Sequence, residues 1–188
     1  MGESSCEKGS MKEAHTPLVR AALSYVERSM PVFPCEPGGK RPLTPGGFWE
    51  ATTDTERIRG WWGRWPSANI GIPTGKRSGL LVLDVDERGG GMESFVVLEH
   101  RHGPAPRTAR SRTGGGGAHL FFRYPAGQEI RNSADLLGPG LDVRGEGGYV
   151  IVPPSRTQRT YEWIERSPPA EAGWLVGCLS EYSEQTLF

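Results

Sequence analysis

Gly79-Leu80-Leu81-Val82-Leu83-Asp84-Val85-Asp86 is the stretch on which the fold of this chain turns. A short apolar run, opened by glycine and closed by the polar turn Asp86-Glu87-Arg88-Gly89-Gly90, predicts a buried strand. Working outward, Asn69-Ile70-Gly71-Ile72 predicts a strand before it, and a helix follows from about Met92 to His100. Further strands are expected at Ala118-His119-Leu120-Phe121-Phe122-Arg123, Leu141-Asp142-Val143-Arg144 and Gly148-Tyr149-Val150-Ile151-Val152, each bounded by glycine or proline. Such alternation indicates an α/β or α+β domain built on a central sheet, and 188 residues suffice for one domain.

Toward the N-terminus, Thr16-Pro17 followed by apolar residues at helical spacing predicts a helix through Val26. Residues 1–15 are polar and small, and disorder is expected there, leaving 16–188 as the folded domain. Pro31-Val32-Phe33-Pro34 reads as a short strand leading into the turn Glu36-Pro37-Gly38-Gly39-Lys40-Arg41-Pro42, which puts Lys40 on a loop. Thr53-Asp54-Thr55-Glu56 opens a helix in which Ile58, Trp61, Trp62 and Trp65 recur at near-helical spacing. That spacing favours packing over base stacking for the tryptophans. A closing helix is expected from about Pro169 to Tyr182.

Lysine and arginine number 22 and so do aspartate and glutamate, so the net charge of zero offers no global attraction to a polyanion. Locally, Arg101, His102, Arg107, Arg110 and Arg112 form the one dense positive stretch, read either as a phosphate-gripping patch or as a solvated loop. Cys6, Cys35 and Cys178 lack metal-ligand spacing, so no zinc site is expected. No apolar run is long enough to span a bilayer and no signal core opens the chain, which reads as cytoplasmic and without a membrane partner.

Three of the five aspartates, Asp84, Asp86 and Asp142, lie in or at the ends of apolar strands. Alternation puts Asp84 and Asp86 on one face about 7 Å apart, the placement needed to share a divalent cation; a polar turn at an exposed strand end is the other reading. If the acids do share a site, removing any one relieves like-charge repulsion in the metal-free protein. Ser111-Arg112-Thr113-Gly114-Gly115-Gly116-Gly117-Ala118-His119 is the second motif. Four consecutive glycines imply a close approach of the main chain to another group, phosphate oxygens being the usual one, and His119 then either serves phosphate or metal or is a core histidine. In Leu141-Asp142-Val143-Arg144-Gly145-Glu146-Gly147-Gly148, Asp142 and Arg144 share a face, where they supply a third carboxylate and a phosphate-binding cation, or simply pair with each other.

From Pro31 to Trp163 these motifs, in this order, resemble the N-terminal domain of the bifunctional primase-polymerases of the archaeo-eukaryotic primase superfamily. The resemblance implies an α+β fold in which a modified RNA-recognition-like catalytic sheet joins a smaller α/β unit. It implies a template-dependent nucleotidyltransferase, a DNA primase or polymerase, working with two magnesium or manganese ions on Asp84, Asp86 and Asp142. His119, Arg112 and Arg144 are the candidate triphosphate contacts, with Ser111 and Lys40 behind them, and Asn69 to Gly75 is a candidate lining for sugar or base. The expected partners are single-stranded template and primer, ribo- or deoxynucleoside triphosphates, and a helicase or helical-bundle primase unit on another chain, since many relatives carry both. A metal-dependent nuclease or phosphatase, or an inactive nucleic-acid-binding adaptor, are the alternatives left open.

Overall fold

The computed structural model describes residues 16–185; Cys6 and the disorder expected for 1–15 lie outside them. The chain runs α1 (Pro17–Val26), β1 (Phe33–Cys35), α2 (Thr55–Arg64), β2 (Asn69–Pro73), β3 (Leu80–Val85), α3 (Gly91–His102) and β4 (Arg110–Arg112). It continues through β5 (Ala118–Arg123), β6 (Leu141–Arg144), β7 (Tyr149–Val152), β8 (Glu162–Glu165), β9 (Ala170–Glu171) and α4 (Gly173–Gln185). The expected caps form: the Thr16 hydroxyl accepts from the Val19 amide, and Asp54 accepts from the amides of Glu56 and Arg57.

Two sheets result, and the fold is α+β. A small antiparallel sheet has the order β1-β2-β7, and a larger one the order β6-β3-β5-β4-β8. The larger sheet is antiparallel except where β9 pairs with β5 in parallel. That pairing explains why the closing helix begins at Gly173 rather than Pro169: Ala170 and Glu171 are extended beside Phe122 and Arg123. No helix among the described residues is long and apolar enough to cross a membrane.

Alternation along β3 sorts its side chains onto two faces. Leu81, Leu83 and Val85 join Phe95 and Leu98 of α3 and Leu175 and Cys178 of α4 in one core. Leu80 and Val82 join Tyr25, Trp62, Ile70, Phe121 and Val152 in a second core beneath α1 and α2. Trp62 is buried and its indole nitrogen donates to the Ala68 carbonyl, so packing is its role. Trp61 and Trp65 are half-buried, with the guanidinium groups of Arg57 and Arg64 4.8 and 4.7 Å from their ring centres.

Asp84 shares the second face. Its register partners are His119 on β5 and Asp142 on β6, and His119 in turn faces Ser111 on β4. One row of polar residues therefore crosses four strands. The glycine run turns β4 into β5: the Thr113 amide donates to the Gly117 carbonyl at 2.8 Å, and Gly116 takes a φ of +106°. A methyl group at Gly117 would overlap the Val85 carbonyl, and one at Gly114 would overlap Thr157 and Tyr161. The close approach that the glycines imply is thus made to the protein's own backbone and side chains, and the turn is required without any phosphate. Gly117→Ala is accordingly expected to cost about 1–3 kcal/mol in nucleotide-free protein. An unchanged melting temperature in that variant would return the loop to a ligand-only role.

Candidate active site

Above the row lies a cleft of about 210 Å³ lined by Lys40, Asp84, His119, Arg144, Tyr149 and Tyr161, with Asn132 and the Gly147-Gly148 turn at its edge. Each wall has a local cause. Lys40 is carried there by a loop fastened twice: the Tyr149 hydroxyl donates to the Lys40 carbonyl at 3.2 Å, and the Asn69 amide donates to the Gly39 carbonyl at 2.8 Å. Asn69 also accepts from the Arg156 amide and donates to its carbonyl, both at 2.8 Å. Asn132 accepts from the Gly145 amide at 2.9 Å, and Gly148 lies where any side chain would strike Asn132.

Asp84 is the centre of charge. Its carboxylate lies 3.3 Å from His119 Nε2 and 3.5 Å from Arg144 Nη2, and Arg144 also reaches Asp142 at 2.7 Å. Burial alone would push the Asp84 carboxyl up, but His119, Arg144 and Lys40 together outweigh it and hold the group down at about 2. The acid is therefore ionised at neutral pH, and Arg144 keeps two facing carboxylates from repelling each other. The expectation that metal-free stability holds or rises when an acid is removed therefore does not extend to Asp84, which charged partners hold. Loss of Asp84 would leave buried His119 without its charged partner.

The other expected residues distribute unevenly. Asp86 stands just past the end of β3, exposed, with Oδ1 accepting from the Arg88 amide at 3.0 Å. Ser111 is fully buried beside His119 and does not line the cleft. Arg112 points to the opposite face by strand alternation, where its guanidinium lies 3.7 Å from Glu162. Asn69–Pro73 is buried along its whole length as the middle strand of the small sheet, so it fastens loops rather than lining the cleft. Nor do the arginines between 101 and 112 form an open patch. Arg107 pairs with Glu165 at 3.0 Å, Arg101 lies over Tyr182, Arg110 over Phe95, and His102 is 3.3 Å from Glu181.

Sequence reasoning missed Asn132, Tyr149 and Tyr161. Only the Gly-Glu-Gly-Gly turn signalled that Tyr149 begins a strand, and nothing local marks the other two. Three buried polar atoms close to the row, Ser111 Oγ, His119 Nδ1 and the Tyr161 hydroxyl, have no hydrogen-bond partner. Orphaned groups of this kind are costly to keep, and their grouping here marks a place built to receive something polar.

Asp84, Asp86 and Asp142 supply hard carboxylate oxygens, the donor type that suits magnesium or manganese. Among the described residues no three His, Cys, Asp or Glu side chains converge on one point, and the Arg144 guanidinium takes the cation's part between Asp84 and Asp142. The donor chemistry fits a divalent ion.

The depressed Asp84 carboxyl has a consequence for stability. Its stabilisation is complete above the unfolded value of about 4, and it is lost as pH falls toward the folded value, because the unfolded chain takes up the proton first. The shift corresponds to roughly 2 kcal/mol. In metal-free buffer, the stability difference between wild type and Asp84→Asn should shrink as pH is lowered from about 4 to about 2. Denaturant titrations across that window check this, and parallel curves would show that His119 and Arg144 do not hold the acid ionised.

Among curated proteins none matches this chain. The family model described as bifunctional DNA primase/polymerase, N-terminal, matches residues 22–174. That span contains every strand of both sheets together with Lys40, Asp84, His119, Asp142 and Arg144. The chain belongs to the Prim-Pol family of bifunctional DNA primase/polymerase N-terminal domains.

Proposed function

We propose that the domain is a template-dependent nucleotidyltransferase, a DNA primase or polymerase. The hydroxyl of a primer end or of a first nucleotide attacks the α-phosphorus of a nucleoside triphosphate. A phosphodiester bond forms and the bond to pyrophosphate breaks. The observation that supports this most directly is that Asp84 and His119 line one cleft with Lys40 and Arg144, with Asp142 beside Asp84 on the next strand. Carboxylates and cations side by side are what a triphosphate bound with divalent metal requires.

The proposed roles follow from the contacts. Asp84, Asp86 and Asp142 would hold two magnesium or manganese ions, whose charge would supply activation of the attacking hydroxyl and neutralisation of the leaving pyrophosphate. Arg144, half-exposed, is free to turn from the two carboxylates to the triphosphate, and Lys40 meets the same phosphates from the loop opposite. His119 holds Asp84 through Nε2, and its buried Nδ1 is without a partner. Ser111 acts behind His119 rather than on the nucleotide. Single-stranded template and primer complete the substrate set.

The test combines a single-stranded template, labelled nucleotides and magnesium or manganese, with and without primer. Wild type should extend the strand and release pyrophosphate. Asp84→Asn and Asp142→Asn should each lower the rate by at least about a hundredfold, through lost metal affinity. Arg144→Ala should raise the KM for nucleotide by about tenfold, the loss of one charge-assisted contact. Strand cleavage without pyrophosphate release would replace the proposal with a nuclease.

A further inference from the structure

A second and much larger cavity, about 930 Å³ against 210 Å³ for the cleft, opens beside α1. Its walls include Tyr25, Arg28, Phe121, Tyr161, Trp163 and Arg166. Three of its rings stand in series: Tyr25 and Trp163 have centroids 6.4 Å apart, and Trp163 and Phe121 5.3 Å apart. Tyr25 and Phe121 are buried and tilted by 48° and 50° from Trp163, so Trp163, half-buried, is the ring that the series offers to a planar ligand.

At the rim stand two exposed arginines, Arg28 and Arg166. Neither has an ion-pair partner among the described residues, in contrast to Arg107, Arg112, Arg123, Arg131 and Arg144. Both act on one point. Burial pushes the Tyr25 phenol up, and the Trp163 indole, Arg28 and Arg166 pull it the other way. Glu162, the acid at this rim, is already turned to Arg112. The Ser167 hydroxyl on the lining has no partner, and Tyr161, whose hydroxyl is orphaned beside the cleft, is a wall that the two openings share.

We propose that this cavity binds a mononucleotide, with its base against Trp163, which Tyr25 and Phe121 back, and its phosphate on Arg28 and Arg166. The ligand combines the two features that the walls complement, an aromatic plane and a compact anion, and the volume falls within the range of sites that enclose small molecules. A nucleic-acid strand fits less well. Strand binding draws on many phosphate contacts, whereas this rim offers two free cations on a protein of zero net charge. The site is separate from the cleft and does not depend on the reaction proposed there.

The experiment is calorimetric titration of AMP into the full chain in EDTA, which removes divalent metal from the cleft. Saturable binding of one equivalent is expected. Arg28→Ala and Arg166→Ala, both at exposed positions that should leave the melting temperature intact, should each weaken it by about tenfold. Lys40→Ala and Arg144→Ala should leave it unchanged, and ribose 5-phosphate, which lacks the base, should bind at least about tenfold more weakly. Three results overturn the proposal: no saturable binding, loss of binding in the Arg144 variant but not in the Arg28 and Arg166 variants, or an oligothymidylate that binds far more tightly than AMP with the same sensitivity to Arg28 and Arg166. The last would make a strand the occupant. Because the readout is binding without metal, a failure of strand extension leaves it untouched.

Discussion

Two carboxylates directly opposite each other on neighbouring antiparallel strands repel, and Arg144 makes that arrangement tolerable here by reaching both Asp84 and Asp142. The pairing exists only in one register. A slip of β3 by a single residue would turn Asp84 into the core formed by Leu81, Leu83 and Val85 and bring Leu83 out to the cleft. What holds the register is thus the apolar packing on the far face, against Phe95 and Leu98 of α3 and Leu175 and Cys178 of α4. Backbone crowding reinforces it. Gly117 presses on the Val85 carbonyl, and Gly91 leaves no room for a side chain between Asp86 and the Gly140 carbonyl, so the C-terminal end of β3 is located by glycine contacts. The charge row is a consequence of the core.

That dependence explains what could be read along the chain and what could not. The bounds expected for β5 and β6 coincide with those observed, and β3 ends one residue before Asp86, because all three are apolar runs punctuated by glycine. Strand alternation alone was enough to place Asp142 and Arg144 together. By contrast β4 and β8, Arg-Ser-Arg and Glu-Trp-Ile-Glu, carry the charges of strands toward a sheet edge and look like loop in sequence. The members of the cleft that no local pattern marks arrive over long distances. Tyr149 reaches the Lys40 loop across 109 positions, and Tyr161 joins His119 with ring centroids 6.0 Å apart. Asn69 stood out in sequence for the wrong reason: it is a buried fastener for the Lys40 loop, not part of the cleft lining.

Charge tells a similar story at the scale of the whole molecule. Density of arginine in sequence does not measure positive potential, because strands and helices deliver each guanidinium to its own neighbour. Between positions 101 and 112 every arginine meets an acid or an aromatic ring. Such exposed pairs contribute little to stability, yet Glu165 and Glu162 offset the charges of Arg107 and Arg112, while Arg101 and Arg110 keep theirs over Tyr182 and Phe95. The cations without an acid partner that line the two openings are Lys40 at the cleft and Arg28 and Arg166 at the cavity.

Cleft and cavity are also connected by geometry. Leu80 lines the cavity and Asp84 the cleft, and both lie on one face of β3, four residues or about 13 Å apart. Between them Val82 is fully buried, so the two openings do not merge along that strand. Two short routes join them nonetheless. Tyr161 is a wall of both, and Phe121, which lines the cavity, has its ring 5.9 Å from that of His119 on the same strand. Close-packed interiors transmit a displacement rather than absorb it. A ligand that shifts either ring would therefore move the imidazole that holds Asp84, and the direction of influence runs equally from the cleft back to the cavity, since coupling between two binding sites is reciprocal.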